Sequence, residues 1–264
     1  MTRGLCFTVD VDRDVNECVP GRAEAVSLNS DNGRRFTSSE EGTDILLDML
    51  DEIGIKATFF VEARLMENTD ICFGSNEVAM HGLDHEDMTG EISGVHLSDD
   101  SLEYIIRTSA DIIKDHTGSM PKGFRAPYMR TDQRISDMVR ASGVDYDSST
   151  YADLNRSMHP HMTDNGLTGI PVPVAADSEG KRMSAYLWPM HEGIRGPDGY
   201  IRMANVVKEG TFVMATHSWH MIESRSDGPM DKARRQRNMD DVRRILTSLL
   251  DNGFEAVRMS DLLG

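Results

Sequence analysis

The stretch Gly4–Asp12, GLCFTVDVD, sets the reading of this chain. Its apolar and polar residues alternate as on a β-strand. It ends in two aspartates, Asp10 and Asp12, that straddle Val11 and therefore share one face of the strand. Two carboxylates side by side repel unless a cation or a proton intervenes, so the strand end reads as a site. The plainer alternative is a solvent-facing end that continues the charges of Arg13 and Asp14.

Outward from that strand, helical and strand patterns alternate to the end of the chain without an internal repeat, low-complexity tract or Pro/Gly-rich linker. A polar stretch from Arg13 to about Thr37 is too long for a tight connection and is a candidate active-site loop. TDILLDMLDEIG (43–54) spaces its apolar residues at helical intervals and stops at Gly54. KATFFV (56–61) reads as a buried strand, EARLMEN (62–68) as a short helix and NEVAM (76–80) as a strand that delivers His81. A longer helix fits SLEYIIRTSADIIKDHTG (101–118), followed by strand KGFRAPY (122–128), helix DQRISDMVRASG (132–143) and strand VDYDSS (144–149). GIPVPVA (169–175) is extended, DGYIRMANVVKEG (198–210) helical, and TFVMATH (211–217) a buried strand. DDVRRILTSLLDNG (240–253) is an amphipathic helix before a last strand, FEAVRM (254–259). This order predicts a parallel α/β sheet or barrel, with residues 1–264 as one domain. Asp10 and Asp12, His81, Arg125, Asp147 and His217 each fall at or just beyond the C-terminal end of a predicted strand, the face on which parallel barrels carry their sites.

Composition narrows the partners. The 264 residues carry a formal charge of −16 and are 39% hydrophobic, with no long apolar run. A polyanion of this kind disfavours nucleic acid and anionic lipid, and no membrane association is expected. The N-terminus enters a strand pattern at once, which predicts no signal peptide and a cytoplasmic location. Cys6, Cys18 and Cys72 are odd in number and lack CxxC spacing, so buried thiols are expected, with no disulfide framework or thiolate zinc site.

His81 and His85, in HGLDH, stand at i and i+4. They would share a face if the segment after the strand turns helical, which suits two imidazoles converging on one ion. Histidines at this spacing are also common on surfaces. With one of the aspartates they make a His, His, carboxylate set that leaves positions open for water and substrate.

Taken together, TVDVD (8–12), HGLDH (81–85), RAPY (125–128) and ATH (215–217) resemble, in order, the motifs of the polysaccharide deacetylase (NodB homology, carbohydrate esterase family 4) superfamily. KATFFV and YDSS are similar to family sequence as well, so the resemblance covers nearly the whole chain. Two departures stand out. DVD replaces the adjacent aspartates of many members, a variant seen in intracellular and small-amide-directed ones, and Ala215 takes the place of a leucine.

The resemblance implies a distorted, seven-stranded, TIM-like (β/α) barrel. It further implies Asp12, His81 and His85 as metal ligands, Asp10 as general base, and Arg125 as the group that steers and charges it. Tyr128 would supply a backbone N–H to the oxyanion and His217 would protonate the leaving amine. For Arg125 the alternative is an ordinary surface ion pair. Trp219 and His220 are expected to line the pocket, with core packing an equal reading for Trp219. Asp147 supports the network or is a plain strand-end carboxylate. His191 is expected at the surface, and His96, His116, His159 and His161 as solvated loop residues. Asp84, Glu86 and Asp87 read as helix-start or surface carboxylates.

The expected cofactor is a divalent metal, Zn2+ before other first-row ions. The expected activity is hydrolysis of a non-peptide amide C–N bond, most simply N-deacetylation of an amino sugar or related small N-acyl compound. The alternatives are a cyclic amide or ureide hydrolase of allantoinase type and a silent carbohydrate-binding relative. The partner would be a small-molecule or glycan substrate. The loops Arg13–Thr37 and Thr150–Gly169 set specificity and leave a homo-oligomer open.

Overall fold

Thr8 and Asp10 are as deeply buried as Leu5, Phe7 and Val9 on either side of them. The alternation in GLCFTVDVD is therefore one of polarity and not of exposure, as befits a strand with parallel neighbours on both sides. The computed structural model describes residues 3–14, 35–177 and 179–263. Most of the expected Arg13–Thr37 loop, and Cys18 with it, lies outside the described residues.

In chain order the strands are β1 (Arg3–Val11), β2 (Thr58–Val61), β3 (Glu77–Met80), β4 (Gly123–Phe124) and β5 (Tyr146–Asp147). Then come β6 (Tyr151–Asp153), β7 (His161–Met162), β8 (Thr168–Gly169), β9 (Val172–Ala176) and β10 (Arg182–Ser184). Last are β11 (Gly210–His217), β12 (Glu223–Ser224), β13 (Gly228–Pro229) and β14 (Phe254–Ala256). The main sheet runs β11-β1-β2-β3-β4-β5-β8-β7, with β14 also on β1. Every pairing in it is parallel except β7 with β8. Among the described residues this sheet has nine strands, where seven were expected. The difference lies in pieces such as β7, whose two residues are too short to carry a hydrophobic period.

The sheet curls into a half-barrel. A second sheet, β10-β9-β6, meets it where β9 contacts β11. The segment Ala185–Leu187 links the two: the Ala185 N–H donates to Pro173 O (2.9 Å), the Leu187 N–H to Ala215 O (2.7 Å), and the Ala215 N–H to Ala185 O (3.0 Å). The α/β class and curled parallel sheet expected from the sequence are thus present.

Helices α1 (Thr37–Ile53), α2 (Ala63–Met66), α3 (Asp99–Thr117), α4 (Gln133–Ala141), α5 (Trp188–His191), α6 (Pro197–Asn205) and α7 (Lys232–Asp251) connect the strands. The start of α1 is held by Asp14, which accepts the N–H groups of Ser38 (3.0 Å) and Ser39 (2.7 Å), placing a carboxylate where the helix dipole favours one. Gly54 and Gly118 close α1 and α3 in the left-handed conformation, as their positions predicted. Gly42 lets α1 lie against the turn after β11, since a Cβ there would sit 2.0 Å from Ser218 O. That contact fixes the backbone that carries Trp219.

No helix among the described residues is long and apolar enough to cross a membrane. Cys6 is buried as expected. Cys72 is exposed, which corrects the expectation for that thiol.

Candidate functional site

Asp10 is the last β1 residue paired to β11, directly opposite His217, and Asp12 stands one residue beyond the strand. His81 follows β3, Arg125 follows β4, Asp147 ends β5 and His217 ends β11. Apart from Asp147, the strand-end pattern read from the sequence therefore becomes one cluster. Asp10, Asp12, His81, His85, Tyr128, His217 and Trp219 line a single cavity of about 350 Å³.

Ligand atoms of Asp12, His81 and His85 lie within 4.8 Å of one another. His81 donates its Nδ1–H to the carbonyl of Arg125 at 2.8 Å, which leaves Nε2 as the basic nitrogen. The Trp219 indole N–H donates to Asp12 Oδ1 at 3.0 Å, and Asp12 Oδ2 lies 3.2 Å from His85 Nε2. Atoms that bind one tetrahedral ion at ~2.0–2.1 Å stand roughly 3.4 Å apart, so this spacing suits a shared cation. Burial pushes the imidazole of His81 down and that of His85 down to about 3, the neutral form a metal ligand needs. Burial also pushes the Asp12 carboxyl up, against the pull of His217 and His81. A buried, uncompensated carboxylate facing two neutral imidazoles is a donor set that a divalent cation would complete.

His85 does not reach this position on a helix. Residues 81–87 form a loop in which Gly82 (φ 82°) and His85 (φ 51°) are left-handed. That conformation turns the second imidazole back toward the first, with ring centroids 5.2 Å apart. The nearby acids start no helix either. Asp84 pairs with Arg13, Glu86 accepts the Leu83 N–H (3.1 Å), and Asp87 accepts N–H groups of Gly90, Ile92 and Ser93.

Asp10 is held from two sides. Arg125 Nη1 donates to Oδ1 at 2.7 Å, and Tyr186 Oη donates to Oδ2. Burial alone would raise this carboxyl, but Arg125 foremost, with His81, His217 and Tyr186, holds it at about 2. Arg125 is fully buried, which excludes the surface-pair alternative. Its other donors reach Thr8 Oγ1 (2.9 Å) and Ser148 Oγ (3.0 Å), and it lies 4.1 Å over the Phe60 ring. Burial pushes His217 down to about 4, with Asp12 and Asp10 partly offsetting it.

Tyr186 went unread in the sequence because its partner is 176 positions away. The aromatic run AYLWP (185–189) was its only local signal. Trp188 and Tyr151 complete the aromatic wall of the cavity. Trp219 serves both readings at once, being 3% exposed and a hydrogen-bond donor to the site. Tyr128 and Met129 hold strained left-handed backbone (φ 59° and 56°) beside the cavity.

His191 corrects an expectation: it is buried, its ring stacked 4.9 Å from that of His220, and its Nε2 is 2.9 Å from Thr216 Oγ1. His220 is equally buried, 3.4 Å from Glu192, and does not line the cavity. Asp147 likewise stays outside the cavity and accepts the Ser149 N–H at 2.9 Å. His96, His116, His159 and His161 are exposed as expected, but His116 lies on α3 and His161 on β7 where loops were expected.

Known proteins resemble this chain in sequence and fold. The family model described as polysaccharide deacetylase matches residues 19–146, which take in His81, His85, Arg125 and Tyr128. A peptidoglycan deacetylase-like protein of Gibberella zeae is 31% identical over 127 residues, 46% of this chain and 36% of its own length. This chain therefore spans little more than a third of that curated relative. Among solved structures, a Mycobacterium smegmatis protein described as a polysaccharide deacetylase superposes with a TM-score of 0.63 at 21% identity, over 99% of this chain and 88% of its own. An allantoinase superposes with a TM-score of 0.68 at 13% identity, over 98% of this chain and 88% of its own.

Proposed function

We propose that the chain is a member of the polysaccharide deacetylase superfamily and a metal-dependent hydrolase of a non-peptide amide bond that removes an acyl group from an amino sugar or a related small N-acyl compound. The observation that carries this reading is the convergence of Asp12, His81 and His85 beside the Arg125-held Asp10, in a cavity that His217 also lines. We further propose residues 1–264 as one catalytic domain working in the cytoplasm. The free thiols Cys6 and Cys72 suit a reducing compartment.

When bound by Asp12, His81 and His85, a divalent cation, Zn2+ first among candidates, supplies acidity to water and polarises the amide carbonyl. Asp10, ionised over the whole neutral range, accepts the proton of the attacking water. Arg125 and Tyr186 fix the direction in which its carboxylate presents lone pairs. The Tyr128 backbone N–H would hold the developing oxyanion, and His217 would pass a proton to the leaving nitrogen. Tyr151, Tyr186, Trp188 and Trp219 form walls suited to the faces of one small ring. A space of about 350 Å³ fits a single sugar unit or small amide.

The test is metal content and N-deacetylase turnover of the protein beside His81→Ala. Loss of both in the variant is expected, and equal metal occupancy in the two proteins would sink the ligand assignment. The same walled cavity also favours a second reading, ring-opening of a cyclic amide or ureide. Screening N-acetyl sugars against cyclic imides separates the two: turnover of the imides alone would replace the first reading with the second.

A further inference from the structure

The two halves of the metal site arrive on different strands, Asp12 after β1 and the histidines after β3, with β2 between them. A single side chain spans all three strand ends. Arg13, which directly follows Asp12, donates through its backbone N–H to Glu62 Oε2 (2.9 Å) and through Nη2 to Glu62 Oε1 (2.6 Å), at the end of β2. The same Nη2 donates to the carbonyl of Asp84 (2.7 Å) and to its carboxylate, in the residue immediately before His85. We propose that Arg13 is a positioning residue of the metal site: with Glu62 and Asp84 it clamps the ends of β1, β2 and β3 so that Asp12 and His85 face one another.

This inference rests on the reading of Asp12, His81 and His85 as ligands. Its own support is independent of that reading. Glu62 has no exposed side-chain surface and Arg13 only 9%, so neither charge is there for solubility. A buried ion pair adds little net stability over an apolar pair of similar size, which leaves geometry as what it contributes. Burial pushes the Glu62 carboxyl up to about 7 even with the bonds and charge of Arg13 drawing it down. The loop that Arg13 grips has no helix to hold it, and His85 sits there in a left-handed conformation that needs outside restraint. The guanidinium fork holds Glu62 through both Nε (3.3 Å) and Nη2 while Nη2 also reaches Asp84, a two-nitrogen grip that an ammonium group on a flexible stem cannot copy.

The experiment is zinc affinity of the whole chain, measured by competition with a chromophoric chelator, with thermal melting of each metal-free protein alongside. The double variant Arg13→Leu, Glu62→Leu removes the clamp without leaving a lone buried charge. It should melt near the wild type yet bind zinc roughly 10–100-fold more weakly, the usual effect of removing support for metal ligands. Arg13→Lys should fall between the two. Asp84→Ala leaves the Arg13–Glu62 pair intact and should weaken binding several-fold, so a double variant that fails to fold does not rescue the proposal. Wild-type affinity in a folded double variant, or in Asp84→Ala, would overturn the clamp alone. A wild-type chain that binds no zinc would overturn the metal reading and the clamp with it.

Discussion

Two buried carboxylates, one at each end of the barrel, make opposite use of the same chemistry. Asp10, at the C-terminal ends of the strands, accepts from Arg125 and Tyr186 and opens onto the cavity. Glu77, at the N-terminal ends, accepts from the Thr58 hydroxyl (2.8 Å), the Tyr146 hydroxyl (3.0 Å) and the Ser260 N–H (3.0 Å). Around Asp10 the polar set is left open, since His85 Nδ1 and His217 Nδ1 are buried with no hydrogen-bond partner. Around Glu77 the donors close on the carboxylate and join β2, β3, β5 and the turn after β14. On the proposed function, one end serves a reaction and the other cohesion.

The sharpest way to break this contrast is Asp10→Asn. It should lower kcat by roughly 10²–10⁴-fold while metal content and melting temperature stay near wild type. A loss of less than tenfold would remove Asp10 from the base role.

Asp147 tests whether a strand-end acid outside the cavity is structural. Burial pushes its carboxyl up to about 6, with the bonds from Ser149 pulling down. The folded state thus holds the proton to higher pH than the unfolded chain. The resulting stability is full below about pH 4 and lost as pH rises through about 6, a swing of about 3 kcal/mol. Denaturant melts at pH 4 and pH 7 should show this component in the wild type and not in Asp147→Asn. Equal pH dependence in both proteins refutes it.

Glu77→Gln should lower stability by about 2 kcal/mol, because the amide brings donors among groups that already donate. Turnover below the melting range should be unchanged, and a large fall in kcat would erase the distinction between the two ends. The smallest effect is expected from Tyr186→Phe, which removes one of the bonds to Asp10. A decrease in kcat of about tenfold with KM little altered is expected, and an unchanged kcat would make Tyr186 only a wall of the cavity.

What could be read in advance follows from the range of the interactions involved. β1, α1, β2, α3 and β11 announce themselves through local period and caps, and the placement of Asp10, Asp12, His81, Arg125 and His217 follows from counting along those strands. The turn of His85 depends on left-handed backbone in a loop, for which only the neighbouring Gly82 gave a hint. Tyr186 and Arg13 act on partners 176 and 71 positions away, and no pattern within a short window reports them. His191 looked like a surface residue beside Glu192. Its burial comes from packing against His220 behind the cavity.

The pairing of β1 with β11 has a consequence for biosynthesis. The cluster of Asp12, His81 and His85 is complete once residue 85 has emerged, whereas His217 follows 132 residues later, a delay of roughly 7–26 s at ~5–20 residues per second. Throughout that interval the edge of β1 from Arg3 to Asp10, later covered by Gly210–His217, has no strand beside it. A nascent chain at this stage offers a ready template for another strand. Early capture of a cation by Asp12, His81 and His85 would hold the strand ends in register while the closing strand is still on the ribosome.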